Sequence, residues 1–209
     1  MTQRELSKYR SDRQVTLFKS YKNDRSDFVW AESQLERDTQ RYYEYQQNVI
    51  SFKEQPARYE YIDDRGVKRG YTPDLEITTK DGIDLRETKP AIFTRSKRAE
   101  ERFNHLRDLF DEVKGLKIAY ATDEQVYAGH TTKNLKKIHH FRRLSIAQID
   151  LEAMHEALGE VTSFSKLTTY IQSLGLQTKH ALALLGHQVF IFDYALELNE
   201  NTTLTATGE

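Results

Sequence analysis

Residues 71–90 have the sequence YTPDLEITTKDGIDLRETKP, in which two extended runs flank a short polar turn. An Asp-Gly pair between two such runs is a strong signal for a β-hairpin, so we predict strands on both sides of Asp81-Gly82. Side chains two residues apart in a strand lie on the same face, which places Glu87 with Lys89. Asp74, thirteen residues before Glu87, is expected to reach that face from the neighbouring strand.

Two carboxylates beside one ammonium group form a site with a definite chemistry. Asp74 and Glu87 offer the hard oxygen ligands that Mg²⁺ prefers, with waters and a substrate phosphate completing its coordination. A metal ion held there lowers the pKa of an attacking water and stabilises the leaving 3′-oxygen of a phosphodiester, while Lys89 orients the water. The alternative is a solvent-exposed hairpin face on which Glu87 and Lys89 form an ordinary ion pair.

The segments around the hairpin predict a mixed sheet flanked by helices. Apolar residues recur at helical spacing from Phe28 to about Tyr45 and again over residues 95–113, and residues 116–121 form a short apolar run. The resulting order of elements, α-β-β-β-α-β, is typical of an α/β domain. Trp30 and the tyrosines of residues 42–45 are expected in its core.

The pattern changes after residue 128, and we predict two domains, 1–128 and 129–209. The elements predicted in the second domain are helices over residues 146–158, about 163–173 and about 178–185, and a strand from Gln188 to Leu196. Three helices followed by a β element indicate a small winged-helix-like domain, although helix pairs with a short turn also occur in proteins that do not bind DNA.

Composition excludes several classes of protein. The chain has 209 residues, a net charge of −1 and no cysteine, which removes disulfides, thiolate nucleophiles and cysteine-based zinc sites. No apolar stretch is long enough for a transmembrane helix, and the N-terminus lacks the apolar region of a signal peptide. These features predict a cytoplasmic protein with no membrane association.

Charge is distributed unevenly along the chain. Residues 1–25 contain seven basic and three acidic residues, and we predict that they form a basic N-terminal arm of the first domain. Residues 133–143 contain five basic residues and no acid. Residues 144–209 contain two basic and eight acidic residues, which favours a protein partner over DNA there. Clustered basic residues are typical of phosphate binding, although a solvated surface is the alternative. The predicted DNA contacts are Lys22, Arg25, Arg95, Lys97, Arg98, Lys133, Lys136, Lys137, Arg142 and Arg143.

Two resemblances make the functional prediction specific. Pro73-Asp74 followed by Glu87-Thr88-Lys89 resembles the PD-(D/E)xK motif of restriction-endonuclease-like nucleases. Over about residues 20–90, the segments ES-x-LERD, EQP, YTPDLEI and ETKP resemble the TnsA family. These proteins are the endonuclease subunits of heteromeric TnsA–TnsB transposases in bacterial cut-and-paste transposons. The resemblance implies a restriction-endonuclease-like fold followed by a winged-helix-like domain.

The resemblance also implies roles for single residues. Glu36, eighteen residues before Glu54, matches the helix-borne catalytic acid, with Glu32 as the second choice. Asp74 matches the metal-bridging aspartate, Glu87 occupies the position before x-Lys, and Lys89 matches the catalytic lysine. The resulting metal ligands are Glu36, Asp74, Glu87 and the backbone carbonyl of Thr88, around Mg²⁺ for which Mn²⁺ substitutes.

In this family, the nuclease cuts the non-transferred strand near the 5′ ends of the transposon, and its partner transposase cuts and joins the 3′ ends. The expected partners are therefore transposon-end duplex DNA, a TnsB-type transposase and, through the C-terminal domain, a TnsC-type ATP-dependent regulator. Two alternatives stay open from the residues alone. One is a stand-alone repair or junction nuclease of the same fold, and the other is a non-catalytic assembly module.

Overall fold

The computed structural model describes residues 16–24, 27–63 and 66–208. Contacts divide the chain into two compact units, Met1–Val126 and Tyr127–Glu209, where the sequence predicts a boundary between residues 128 and 129. None of the helices in the described ranges combines the length and the apolar character that crossing a bilayer requires.

The first unit begins with a two-stranded ribbon and a helix. Strands β1 (Thr16–Lys19) and β2 (Phe28–Ala31) pair antiparallel, and helix α1 (Gln34–Glu44) follows. The predicted helix over Phe28–Tyr45 is therefore wrong in its first turn, and the predicted N-terminal arm contains a regular strand, β1. Residues 1–15 and Arg25 lie outside the described residues.

The helix begins late because Ser33 caps it. The Ser33 hydroxyl accepts a hydrogen bond from the Glu36 N–H, which satisfies a donor that the first helical turn leaves free. Upstream of this cap, β2 alternates between exposed and buried residues as a strand does. Trp30 therefore lies on the outer face of the ribbon and is 44 % exposed, so its predicted place in the core is wrong. Tyr43 and Tyr45 are buried as predicted.

A four-stranded mixed sheet forms the centre of this unit. The elements that follow α1 are β3 (Val49–Glu54), β4 (Tyr59–Ile62), β5 (Lys68–Tyr71), β6 (Leu75–Thr79), β7 (Gly82–Lys89), a 3₁₀ turn (Ala91–Phe93), α2 (Lys97–Lys114), β8 (Lys117–Thr122) and α3 (Asp123–Val126). The sheet order is β3-β6-β7-β8, and only the β7–β8 pair is parallel. Strands β4 and β5 form a separate hairpin. The predicted α/β class with a mixed sheet is confirmed.

Helices cover both faces of this sheet. On the face of α1, the core contains Phe18, Val29, Tyr43, Val49, Phe52, Leu75, Ile77 and Ala121. On the face of α2, it contains Leu85, Phe110 and Ile118, with half-buried Tyr59, Tyr71, Phe103, Leu106, Leu109 and Leu116 around them. Because successive residues of a strand point to opposite faces, β7 contributes one set of side chains to each layer.

The second unit is mainly helical. Its elements are α4 (Thr131–Phe141), α5 (Leu151–Leu158), β9 (Val161–Ser163), α6 (Phe164–Ser173), α7 (Thr178–Gly186), β10 (Phe190–Ile191) and β11 (Thr203–Ala206). The three strands form an antiparallel sheet in the order β10-β11-β9. Helices α4 and α7 approach closely, since a Cβ added at Gly186 would lie 2.6 Å from the carbonyl oxygen of Ile138.

Several predicted elements of the second unit need correction. The helix predicted from residue 146 begins at Leu151, because the Asp150 side chain caps it by accepting from the Ala153 N–H. The strand predicted from Gln188 to Leu196 is only Phe190–Ile191. Helix α4, β9 and β11 were not predicted as regular elements. The helices predicted over 163–173 and 178–185 are confirmed as α6 and α7.

Candidate active site

The β6–β7 hairpin brings Asp74 next to Glu87. Asp74 immediately precedes β6, and its N–H donates to the carbonyl oxygen of Arg86 at 3.1 Å. Leu75 pairs with Arg86 in the β6–β7 ladder, so Asp74, one residue earlier, lies opposite Glu87 near the end of β7. The Thr88 N–H donates to Oδ2 of Asp74 at 2.7 Å. The backbone of the hairpin therefore fixes both the position and the orientation of this carboxylate.

The two faces of β7 carry different chemistry. Arg86 points toward α1, where its Nε donates to the Tyr43 hydroxyl at 3.0 Å. Glu87 points to the opposite face, where the Tyr71 hydroxyl donates to its Oε2 at 2.5 Å. The Tyr71 ring itself packs edge-to-face against Phe110 of α2. Tyr71 thus holds one oxygen of Glu87 from the α2 layer.

Burial and neighbouring charge make Asp74 an unusual carboxyl group. Burial, and next the charge of Glu87, raise the pKa of Asp74 to about 7, while the Thr88 N–H opposes the shift by stabilising the charged form. Glu36 and Glu32 contribute smaller increases of the same pKa. The charges of three acidic side chains, Glu87, Glu36 and Glu32, therefore all act on the Asp74 carboxyl group.

Glu36 has a structural partner at the start of α1. Its Oε2 accepts from the Glu32 N–H at 2.9 Å, and its Oε1 accepts from the Ser33 hydroxyl at 3.0 Å. The Glu36 N–H returns a hydrogen bond to the Ser33 hydroxyl at 3.2 Å. This reciprocal arrangement is a form of capping box. Glu36 is close enough to affect the pKa of Asp74, yet both its oxygens are occupied by the helix cap.

Glu32 makes a different connection. Its Oε1 accepts from Nε2 of Gln55 at 3.2 Å, and the Gln55 N–H donates to the carbonyl oxygen of Asp74 at 2.9 Å. Gln55 therefore joins the segment before α1 to the residue before β6.

The donor set at Asp74 and Glu87 fits a divalent cation such as Mg²⁺. Both groups supply carboxylate oxygens, and a cation between them would offset the burial and the repulsion from Glu87 that raise the pKa of Asp74. Within residues 16–24, 27–63 and 66–208, no group of three or more His, Cys, Asp or Glu side chains is gathered closely enough to hold a metal ion. The fit is therefore to a site with two carboxylates, in which water and phosphate oxygens supply the other ligands.

Lys89 and Thr88 complete this end of β7. Lys89 is half-buried on the same face as Glu87, and its side chain forms no hydrogen bond or ion pair with the described residues. Thr88 pairs with Ala121 of β8, and its hydroxyl is buried without a hydrogen-bond partner in the described structure. The Lys89 ammonium group is thus available to a ligand at this edge of the sheet.

The predicted DNA contacts of the first unit differ in their surroundings. Nζ of Lys22 donates to the carbonyl oxygen of Gln46 at 2.9 Å, just beyond the end of α1. Arg95 forms an exposed ion pair with Glu124, and Lys97 lies 3.9 Å from Glu101 one helical turn later. Arg98 is exposed near the start of α2. Arg25 lies outside the described residues.

The predicted contacts of the second unit lie on or just after α4. The exposed members are Lys133, Lys136, Lys137 and Arg143. Lys133 lies 3.8 Å from Glu197, and Arg143 contacts the His140 ring at 3.3 Å. Arg142 is half-buried, because its backbone and Cβ lie against Gly186 of α7. The exposed basic surface of this unit is therefore formed by Lys133, Lys136 and Lys137 of α4 and by Arg143 just after it, and Arg142 is not part of it.

Tyr71 and Gln55 were not predicted as site residues. Both belong to segments that carried the family resemblance, YTPDLEI and EQP, but neither residue has a charge to draw attention to it. Their hydrogen bonds to Glu87 and Glu32 depend on which strands are neighbours, and a sequence pattern does not show that.

Residues 46–125 match the family model described as TnsA-like endonuclease N terminal. This part of the chain is similar to the N-terminal domain of TnsA-like endonucleases. It extends from just after α1 into α3 and so contains Gln55, Asp74, Glu87 and Lys89, while Glu32 and Glu36 precede it. No match was found for the chain among the curated proteins compared with it. The predicted resemblance to the TnsA family is therefore confirmed for this domain.

Proposed function

We propose that this chain is a metal-dependent DNA endonuclease that cuts the non-transferred strand at the 5′ ends of a transposon, together with a TnsB-type transposase. The observation that carries the proposal is the convergence of Asp74 and Glu87 beside Lys89, inside the TnsA-like endonuclease domain. The nuclease role in transposition follows from the domain itself. Strand choice, metal use and the partner transposase are the proposed details.

Asp74 and Glu87 are the residues that would hold Mg²⁺, or Mn²⁺ in its place, with the Thr88 carbonyl as a further ligand. When bound, the metal ion activates water and stabilises charge on the phosphodiester. Lys89 orients the attacking water from the same face of β7. Water oxygen bonds to phosphorus and releases a proton to solvent, the bond to the 3′-oxygen breaks, and that oxygen takes up a proton from solvent and leaves as a hydroxyl.

Glu36 is proposed as the acid that α1 adds to this site. Its electrostatic effect on Asp74 supports a place near the metal ion, although the helix cap occupies both its oxygens. In this proposal the Glu36 carboxylate leaves the Glu32 N–H and the Ser33 hydroxyl, and it then binds the metal ion directly or through a water molecule.

The basic residues supply sequence-independent contacts with DNA phosphates. In the first unit we propose Lys22, Arg25, Arg95, Lys97 and Arg98. In the second we propose Lys133, Lys136, Lys137 and Arg143, but not the predicted Arg142, which is half-buried against Gly186. Because Arg95 is paired with Glu124, DNA must compete with an ion pair at that position. The second unit is proposed as a winged-helix-like domain whose acidic part contacts a TnsC-type regulator.

The proposal is tested with a labelled duplex of the cognate transposon end in Mg²⁺, using the chain alone and with its transposase. We expect nicking of the non-transferred strand near the 5′ end that depends on the partner. Efficient cutting by the chain alone would instead indicate a stand-alone nuclease. No cutting in any combination would indicate an assembly module.

The Tyr71→Phe variant tests the hydrogen bond to Glu87. The phenyl ring keeps its packing against Phe110, but Glu87 loses the donor that holds its Oε2. We expect the cleavage rate to fall about 10- to 100-fold, as is typical when the partner of a metal ligand is removed. Steady-state cleavage of the transposon-end duplex measures this loss.

Tyr59→Phe is the matched control for Tyr71→Phe. Tyr59 also packs edge-to-face against Phe110 and donates its hydroxyl to a buried carboxylate, Glu76, at 2.9 Å. Its loss should leave the cleavage rate near that of the wild type. Equal effects of the two substitutions would mean that Tyr71 supports the α2 layer and not the site.

A further inference from the structure

Gln55 has an unfavourable backbone conformation beside the active site. Its φ is +39°, and Gln188 is the other residue besides glycine with a positive φ in the part of the chain that the structure describes. A side chain with a Cβ is disfavoured in this region. The following residue is Pro56, which sterically pushes its predecessor toward an extended backbone and so adds to the cost. Conformations of this kind concentrate at functional sites.

This conformation lets one residue reach two acidic residues of the site. The Gln55 N–H donates to the carbonyl oxygen of Asp74 at 2.9 Å, and the side-chain amide donates to Oε1 of Glu32 at 3.2 Å. Of the backbone hydrogen bonds that fix Asp74, those with Arg86 and Thr88 come from within its own hairpin. The bond from the Gln55 N–H comes from the end of β3, and the Gln55 side chain extends the connection to Glu32 in the segment before α1.

The neighbours of Gln55 hold the segment in place. The Glu54 carboxylate is buried and accepts from Nδ2 of Asn23 at 2.6 Å, and Pro56 is buried on the other side. The Gln55 amide therefore extends from a fixed backbone. An amide also suits this position chemically, because it orients a carboxylate without adding the positive charge with which lysine or arginine would compete against a metal ion.

We propose that Gln55 is a positioning residue of the nuclease site, which holds the Asp74 main chain and the Glu32 carboxylate in the arrangement that binds the divalent metal ion. This inference rests on the proposed function. It assigns to the Glu-Gln-Pro segment a role in preparing the metal site, and it connects Glu32 to that site through Gln55.

The Gln55→Gly variant separates this role from a structural one. Glycine accepts a positive φ without strain and keeps the N–H that donates to Asp74, but it removes the amide that holds Glu32. We expect its unfolding midpoint to be no lower than that of the wild type. We expect its dissociation constant for Mn²⁺, titrated as the metal alone into the full-length chain, to rise about tenfold or more.

Gln188→Gly is the matched control, since it relieves the same kind of backbone strain in the second unit. It should bind Mn²⁺ as the wild type does. A second variant, Glu32→Gln, removes the carboxylate from the other end of the hydrogen bond and leaves the Gln55 backbone untouched. It should weaken Mn²⁺ binding to a similar extent, and the double variant should lose little more than either single variant.

The outcomes distinguish this inference from the proposed function. Wild-type protein that binds Mn²⁺, beside a Gln55→Gly variant that binds it equally well, would overturn the inference alone. An equal loss of affinity in Gln55→Gly and Gln188→Gly would also overturn it. Wild-type protein that neither binds Mn²⁺ nor cuts DNA with its transposase would overturn the proposed function, and the inference with it.

Discussion

Replacing Asp74 with alanine is expected to abolish strand cleavage while the protein stays folded. Asp74 is the carboxylate on which burial, Glu87 and the acidic side chains before and in α1 all act. Removing the hydrogen-bond partner of a metal ligand lowers metal affinity or activity about 10- to 100-fold. Removing the ligand itself should therefore lower the cleavage rate more than about a thousandfold. The measurement is single-turnover cleavage of the transposon-end duplex in Mg²⁺, with the transposase present.

The hairpin provides a matched control for this substitution. Asp81 lies in the turn at the opposite end of the same hairpin, and it is exposed. Asp81→Ala should cut at nearly the wild-type rate. Lys89→Ala should also lose cleavage, since it removes the ammonium group that orients the water. A folded Asp74→Ala variant that cuts as fast as the wild type would show that the active site lies elsewhere.

Replacing Asp74 with asparagine is expected to stabilise the metal-free protein at alkaline pH. The pKa of Asp74 is about 7 in the folded protein, above its ordinary value of 3.8. The folded state therefore binds this proton more tightly than the unfolded chain does. The stabilising contribution of the protonated carboxyl is complete below about pH 4 and is lost as the pH rises through 7. Asparagine has no charge to lose, and it keeps an oxygen that can accept from the Thr88 N–H.

The free energy of unfolding should reveal this difference in denaturant titrations with a chelator present. At pH 8, Asp74→Asn should be more stable than the wild type by about 2 to 4 kcal/mol, and the difference should shrink toward zero near pH 4. Mg²⁺ should stabilise the wild type but not the variant, since a ligand bound to the folded state raises its stability. Asp81→Asn, at an exposed position, should show no such trend. A difference that does not change with pH would contradict the raised pKa.

The hairpin was predictable from sequence because its signals are local. Alternation over two short runs and an Asp-Gly turn determine which residues share a face, and Gly82 has the positive φ of +127° that the turn requires. Glu87, Lys89 and Asp74 come together as a direct result. The mixed sheet and helix α2 follow from equally local patterns.

Other features depend on partners far away in the chain. Phe28, Val29, Trp30 and Ala31 fit a helical pattern, but pairing with β1 makes them a strand and turns Trp30 outward. Helix α4 was not predicted, because its sequence was interpreted as a basic run and the helical spacing of its buried residues Leu135 and Ile138 was overlooked. Hydrogen bonds from Tyr71 and Gln55 to acidic residues also require knowledge of the assembled sheet. Tertiary contacts override local propensity in the first of these cases.

The opposite chemistry of the two faces of β7 makes the pairing of Asp74 with Glu87 depend on the register of β7 against β6. If β7 slipped by one residue against β6, Arg86 and Thr88 would take the places of Glu87 and Lys89 on the face of α2. A guanidinium group would then stand where the second carboxylate belongs, and the cluster would repel cations.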